Sequence, residues 1–489
     1  MPVLNYLKSL ISIAILLPVV FFTGAGAQPQ EVLLPDMGDT SGSKVSPAQE
    51  RRTGQAVVHN IRRVGGIIND PMLDDYINNL GYQLISTSGT EQDFNFFIVN
   101  DKQLNAFALP GGFIGVNYGL IMATESENEL ASVVAHEIAH ITQRHHARRY
   151  EMGDKQIPVV AALIAAMILG SNNYEVAQAA VASAAAGAVQ QQINFTRSNE
   201  KEADRIGIGM LADAGYNPQA MATFFERLEK ESGLYGVNTP EFLRTHPVST
   251  ARVADARNRA ARLKKQASRK SNKNFLLMRA RIRALANEDK QAVVHEFEKR
   301  LKTGSYRDKE AEQYGYALTL INIEKYAQAK KIITALLKKD PNRIAYLLAL
   351  AQIETSINKT YQADNAFEKA LELYPENDVL TYYYAQNLIK NKQFKKAHKL
   401  LYKYVQLPGK NPEFYRFLSQ AEAGMDNTSG MHESLADFYL SSGQPHEAIR
   451  QIQLAMKTKK ENDFYRDSRM EAKLKSYQEE IIQTPAGMN

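Results

Sequence analysis

A 34-residue period in the second half of the chain constrains its fold more than any other feature. Ala329, Ala363 and Ala397 are each 34 residues apart, and Ile333, Phe367 and Leu401 follow them in step. Pro341, Pro375 and Pro408 recur at spacings of 34 and 33. Between these markers the pattern is helical, with Ala, Leu and Tyr at recurring offsets. A small residue at a fixed position lets two helices approach closely, and a proline ends the second helix of each unit. A unit of this size cannot bury its apolar face alone, so neighbours must stack.

The period and its markers are the tetratricopeptide signature, and they predict an α-solenoid of helix pairs over residues 275–475, with a tail at 476–489. The stretch Leu435 to Ala448 reads as one more repeat, and 409–430 reads as an interruption. Stacked helix pairs present a concave surface that binds proteins or peptides. An inert bundle would have no need of three markers in step.

At 489 residues the chain has room for two or three domains. It opens with Lys8, an apolar run from Leu10 to Phe22 and the small-residue site Ala25-Gly26-Ala27, which reads as a secretory signal over 1–27. No cysteine follows it, so a bacterial lipid anchor is excluded. The absence of cysteine also rules out disulfides, thiolate metal sites and cysteine nucleophiles. Any metal must be held by His, Asp or Glu. Residues 28–48, rich in Gly, Pro, Ser and Asp, read as a flexible start to the mature chain. The net charge of +6 is mild for this length, and no nucleic-acid-binding pattern accompanies it.

The segment 49–262 reads as an α+β domain with a small sheet, so the fold class is mainly α. Apolar spacing predicts helices from Glu50 and from Pro71. Phe94 to Val99 and Phe113 to Val116 are strand candidates, with Pro110-Gly111-Gly112 as the turn before the second. Helices are expected over Glu127 to Arg149 and Asn199 to Ala214, the latter ended by Gly215 and Pro218. Between them Ile157 to Leu169 is almost wholly apolar and Ala177 to Val189 is Ala-rich. This pair reads first as core helices and second as a contact with a membrane surface, being too short to span one. The basic stretch from Asp255 to Asn274 leads through a linker at 263–274 into the repeats.

Chemistry is concentrated in His136-Glu137-Ile138-Ala139-His140. Four helical residues turn by about 400°, so the two histidines share a face and can meet one metal at about 2.0–2.1 Å. Glu137 lies about 100° round, where it can take a proton from water without being a ligand. A catalytic zinc needs a third protein ligand. The best candidate is Glu200, with Asp204 on the same face of its helix to hold a ligand histidine from behind. Glu202 points roughly the other way and ranks below it. His145 and His146 fall off the metal face and read as structural or exposed, and His59 is an isolated helix histidine. His246, in the loop Thr245-His246-Pro247, is placed to approach the metal.

These motifs, His136-Glu-Ile-Ala-His140, Asn199-Glu-Lys-Glu-Ala-Asp204-Arg-Ile-Gly207 and His246-Pro with Arg252 beyond it, resemble those of the HtpX/CaaX-protease-like zinc metallopeptidases. The resemblance implies one zinc held by His136, His140 and Glu200, with Glu137 as general base. It implies that His246 fills a fourth zinc position in a latent state, and that Arg252 stabilises the oxyanion. It implies that Phe113 to Val116 is an edge strand onto which extended substrate pairs. It also implies a periplasmic quality-control endopeptidase that degrades unfolded or stalled outer-membrane proteins, assists their assembly and docks on the β-barrel assembly machinery through its repeats. The alternative is a non-proteolytic repeat adaptor or chaperone with a vestigial metal site.

Overall fold

The computed structural model describes residues 46–90, 92–145, 197–235, 240–263, 273–287, 289–407, 411–458 and 464–482. The signal segment, the two apolar stretches between 157 and 189 with their membrane reading, His146 and most of the linker lie outside the described residues. Among the described residues no helix is long and apolar enough to cross a membrane.

The first half is built from α1 (Pro47–Arg63), α2 (Pro71–Ile85), β1 (Asn95–Val99), β2 (Ala106–Leu109), β3 (Phe113–Asn117), α3 (Tyr118–Ala123), α4 (Glu127–Thr142), α5 (Arg197–Asp213), α6 (Gln219–Tyr235), α7 (Glu241–Thr245) and α8 (Thr250–Arg262). Proline opens both α1 and α2, where a missing N–H costs nothing. Ser46 caps α1 reciprocally with Gln49, and Asp70 caps α2 by accepting from the Leu73 N–H at 3.1 Å.

The sheet order is β1-β3-β2, with β1 parallel to β3 and β2 antiparallel to it. Alternation divides its side chains between two buried faces. Phe97, Val99, Phe107, Leu109 and Phe113 pack on Val57, Val58 and Ile61 of α1, while Phe96, Ile98, Ala108, Ile114 and Val116 join the main core. The turn between β2 and β3 holds Gly111 at φ 76 and Gly112 at φ 88. A Cβ on Gly112 would lie 2.0 Å from the Asp93 carbonyl oxygen. The order corrects one expectation. Phe113 to Val116 is the central strand, already paired on both sides, so it offers no free edge; the edges are β1 and β2.

The second half consists of α9 (Lys273–Ala286), α10 (Lys290–Thr303), α11 (Lys309–Asn322), α12 (Tyr326–Lys339), α13 (Ile344–Ser356), α14 (Thr360–Leu373), α15 (Asp378–Lys390), α16 (Phe394–Tyr404), α17 (Glu413–Ala423), α18 (Thr428–Ser441), α19 (Pro445–Lys457) and α20 (Phe464–Ile482). Ala329, Ala363 and Ala397 are fully buried, as their spacing predicts. The backbone keeps the period too. Glu324, Asn358, Lys392 and Asp426 all adopt left-handed φ of 56–62° and lie 34 residues apart. The segment 409–430, read above as an interruption, therefore carries α17 in register with the array.

The two halves share one continuous apolar core, running from Ile68 through α4 to Ala421. Polar contacts reinforce the junction. Arg281 of α9 donates from Nε and Nη2 to the Asp70 carboxylate at 2.7 and 2.6 Å, and the Tyr383 hydroxyl of α15 donates to the same group at 3.2 Å. Arg279 donates to the carbonyls of Met122 and Thr124, and Arg307 to that of Glu125, so the repeats grip the segment that enters α4.

Candidate metal centre

The site is organised by α4. Ser126 caps it by accepting from the Glu129 N–H at 3.3 Å, and Leu130, Val133, Val134, Ile138 and Ile141 anchor it in the core. The helix is buried on nearly every side, so its polar residues must find partners inside the protein. They find them on α5, which packs antiparallel-fashion close to α4 at Gly207. A Cβ there would lie 3.2 Å from the His136 backbone nitrogen and 3.1 Å from Met221 Cε. This close approach brings Glu200 and Asp204 against the histidines.

His136 Nε2 and His140 Nε2 lie 3.0 Å apart. Glu200 reaches both, Oε2 at 3.4 Å from His136 and Oε1 at 3.4 Å from His140. His246 completes the cluster, with Nδ1 3.3 Å from His136 Nε2 and 3.1 Å from Glu200 Oε1. Ligand atoms held at about 2.0–2.1 Å around a tetrahedral metal are separated by about 3.3 Å. The observed separations therefore match a metal-sized cage, and one ligand atom from each of the four residues lies within 4.8 Å of the others. All four are 4% exposed or less.

Glu137 stands beside the cage. Its Oε1 is buried without a hydrogen-bond partner in the described structure, the His246 Nε2 being 3.6 Å away, while the Ala108 N–H of β2 supports the carboxylate. Burial pushes Glu137 above the usual carboxylate range, against the pull of His246 and His136. A raised, partly unsatisfied carboxylate next to a metal cage suits a proton acceptor.

The remaining charges hold the ligands. Burial alone would lower His136, but Asp204 on its Nδ1 at 3.0 Å and Glu200 on its Nε2 outweigh it and raise it to about 10. Burial depresses His140 well below the ordinary histidine value. Burial would raise Glu200, yet the surrounding histidines hold it well below the carboxylate range. Asp204 is likewise held low by His136 and Arg252 despite burial.

Arg252 is brought into the cluster and is buried there. Its Nε and Nη2 donate to Asp204 at 2.8 and 2.7 Å, and its Nη1 meets the Pro247 carbonyl at 2.8 Å and Glu200 Oε2 at 2.9 Å. The guanidinium also lies over the Phe225 ring at 4.9 Å. Its contacts go to two carboxylates and a carbonyl around the cluster. His145 departs from the expectation. It is buried, with Nδ1 2.9 Å from His140 Nδ1 and Nε2 3.2 Å from Glu202 Oε2. The helix expected to run to Arg149 is broken after Thr142 by a turn at Gln143 and Arg144, the latter at φ 50, and the part of that expectation beyond His145 lies outside the described residues. His59 is exposed.

The fold and this cluster define a metallopeptidase, and the chain belongs to peptidase family M48, whose profile matches residues 71–260. The likeness extends through the repeats. The chain is 35% identical over 418 residues to the beta-barrel assembly-enhancing protease of Escherichia coli, covering 85% of each chain. It is 35% identical over 451 residues to that of Yersinia pestis, covering 89% of this chain and 92% of the relative. It is 37% identical over 406 residues to a putative one of Vibrio cholerae, covering 82% and 84%.

Proposed function

We propose that the chain is a periplasmic zinc endopeptidase of the HExxH type, exported by its N-terminal signal, that acts in quality control and assembly of outer-membrane β-barrel proteins. The observation that carries the enzymatic part is the convergence of His136, His140 and Glu200 on one metal-sized cage with Glu137 alongside. The relatives' name supports the biological part. The repeats are then the surface for unfolded or stalled outer-membrane proteins and for the β-barrel assembly machinery.

The metal would be held by His136 Nε2, His140 Nε2 and Glu200, with His246 Nδ1 as the fourth donor. When bound, zinc supplies Lewis acidity to water and to the scissile carbonyl. Glu137 takes the proton from the attacking water, and its Ala108 contact fixes the direction of that carboxylate. Asp204, 3.0 Å from His136 Nδ1, attracts that nitrogen's proton and so leaves Nε2 to face the metal. Arg252 neutralises and orients Asp204 and Glu200. Of the two edge strands, β2 is the one beside Glu137, so it is the edge against which an extended substrate would pair.

His246 occupies the position that water or substrate must take, which makes this arrangement a latent one. His246→Ala is expected to cleave an unfolded outer-membrane protein several-fold faster than wild type. Glu137→Gln with His246→Ala should be inactive. Unchanged or slower cleavage by His246→Ala would overturn latency, and residual cleavage by the double variant would overturn the role of Glu137.

A further inference from the structure

His140 is the only one of the two helix histidines whose second nitrogen meets another histidine within the described residues. A straight helix would have carried His145 about 140° away from it, because five residues turn by about 500°. Instead α4 ends at Thr142, Gln143 and Arg144 form a turn with Arg144 in a left-handed conformation at φ 50, and this break re-aims His145. The His145 ring returns to His140, centroids 4.9 Å apart and planes inclined by 74°.

We infer that His145 and Glu202 are positioning residues that fix the tautomer and aim of His140 as a metal ligand. The proton order follows from the atoms in contact. His140 turns Nε2 to the cage, so as a ligand it carries its proton on Nδ1. That proton faces His145 Nδ1 at 2.9 Å, which must accept it. Two N–H groups cannot face each other at that distance, so the His145 proton sits on Nε2. There it donates to Glu202 Oε2 at 3.2 Å. The chain thus runs from carboxylate through one imidazole to the ligand imidazole.

The two ligand histidines are therefore supported differently. Asp204 meets His136 directly at 3.0 Å, whereas a neutral ring stands between Glu202 and His140. All three acidic residues of one stretch of α5 then have a place: Glu200 in the cage, Asp204 behind His136 and Glu202 behind His140. The separation of Glu200 and Glu202 by about 200° around the helix is what the geometry needs, since the turn at Arg144 brings His145 to the outer side. Outer partners of this kind typically govern metal affinity by about 10- to 100-fold.

This inference rests on the metal-centre reading, and the test separates the two. Zinc affinity of the mature chain is measured by chelator competition for wild type, His145→Ala, His145→Gln and Glu202→Gln, with the thermal midpoint of each metal-free protein alongside. Gln keeps an acceptor and a donor in place of the ring, so it serves as the conservative rescue. His145→Ala is expected to bind zinc at least tenfold more weakly, His145→Gln within a few-fold of wild type, and Glu202→Gln between them. Affinity of His145→Ala within twofold of wild type overturns the inference. So does His145→Gln as weak as His145→Ala, which would mark a packing role, or Glu202→Gln indistinguishable from wild type. If His145→Ala does not fold, His145→Gln and Glu202→Gln decide between these outcomes. Failure of wild type to bind zinc would instead count against the metal centre itself.

Discussion

Replacing Arg281 by Met should destabilise the whole protein, although Arg281 lies in the repeats and its partner in the peptidase half. The Arg281 and Asp70 side chains are 4% and 7% exposed, and they meet through two charge-assisted contacts at 2.7 and 2.6 Å. Removing one partner of a buried pair costs about 3–5 kcal/mol, mostly because the other charge is stranded. Asp70 would keep the Leu73 N–H at 3.1 Å and the Tyr383 hydroxyl at 3.2 Å, so the lower end applies. The expected loss is about 3 kcal/mol. Asp70→Asn keeps a cap on α2 and should cost a similar amount by stranding Arg281. The double variant removes both charges and should recover most of the loss, giving a coupling of roughly 2–3 kcal/mol. Urea denaturation at neutral pH, followed by far-ultraviolet circular dichroism, measures all four proteins. With a slope of about 3 kcal/mol/M, each single variant should shift the midpoint by about 1 M. Single variants within about 1 kcal/mol of wild type, or an additive double variant, would refute a coupled buried pair.

Three further outcomes are expected. Elemental analysis should find about one zinc per wild-type chain and none in Glu200→Ala, since three protein ligands make the site; equal metal in both would displace Glu200. Gly207→Ala should weaken zinc by about tenfold, because its Cβ meets the unyielding His136 backbone at 3.2 Å and drives α5 from α4; unchanged affinity in chelator competition would show that the helices can part without cost. Burial, with Asp70 adding to it, raises Asp74 from its ordinary 3.8 to about 7. A carboxyl with a raised folded-state pKa favours the fold fully below 3.8, and that contribution is lost as pH rises through about 7. Asp74→Asn should therefore match wild type at pH 3.8 and melt higher above pH 7; a difference independent of pH would contradict the burial of this carboxyl.

What could be read from the sequence followed from local spacing. His136 and His140 share a face by helical geometry alone, and Glu200 with Asp204 obeys the same rule. The fully buried alanines of the repeats follow from their period. What could not be read depends on contacts distant in sequence or on turns without a marker. Nothing near Arg144 announces a helix end: there is no Gly or Pro, so His145 looked like a residue on the wrong face. The pairing of β1 with β3 skips over a hairpin, and no local pattern shows that it makes Phe113 to Val116 central. Arg252 could be placed near the site but its carboxylate partners could not, and the pairing of Asp70 with Arg281 joins residues 211 positions apart. The register of α17 was hidden because Asp426 keeps the period in its backbone angle while the Ala and Pro markers lapse.

The continuous core between the halves has a consequence for reach. A protease joined to its client-binding module by a slack tether can cut wherever the tether allows. Here α4 is entered from a segment gripped by Arg279 and Arg307, and the same apolar cluster runs into the repeats. On the proposed function, the interval between a client-binding surface on the repeats and Glu137 would be set by packed side chains and would act as a ruler. A client held by the repeats would be cut only where its slack spans that interval. Lengthening an unfolded segment of the client, with its gripped portion unchanged, would then switch cleavage on at a threshold length and not by degrees.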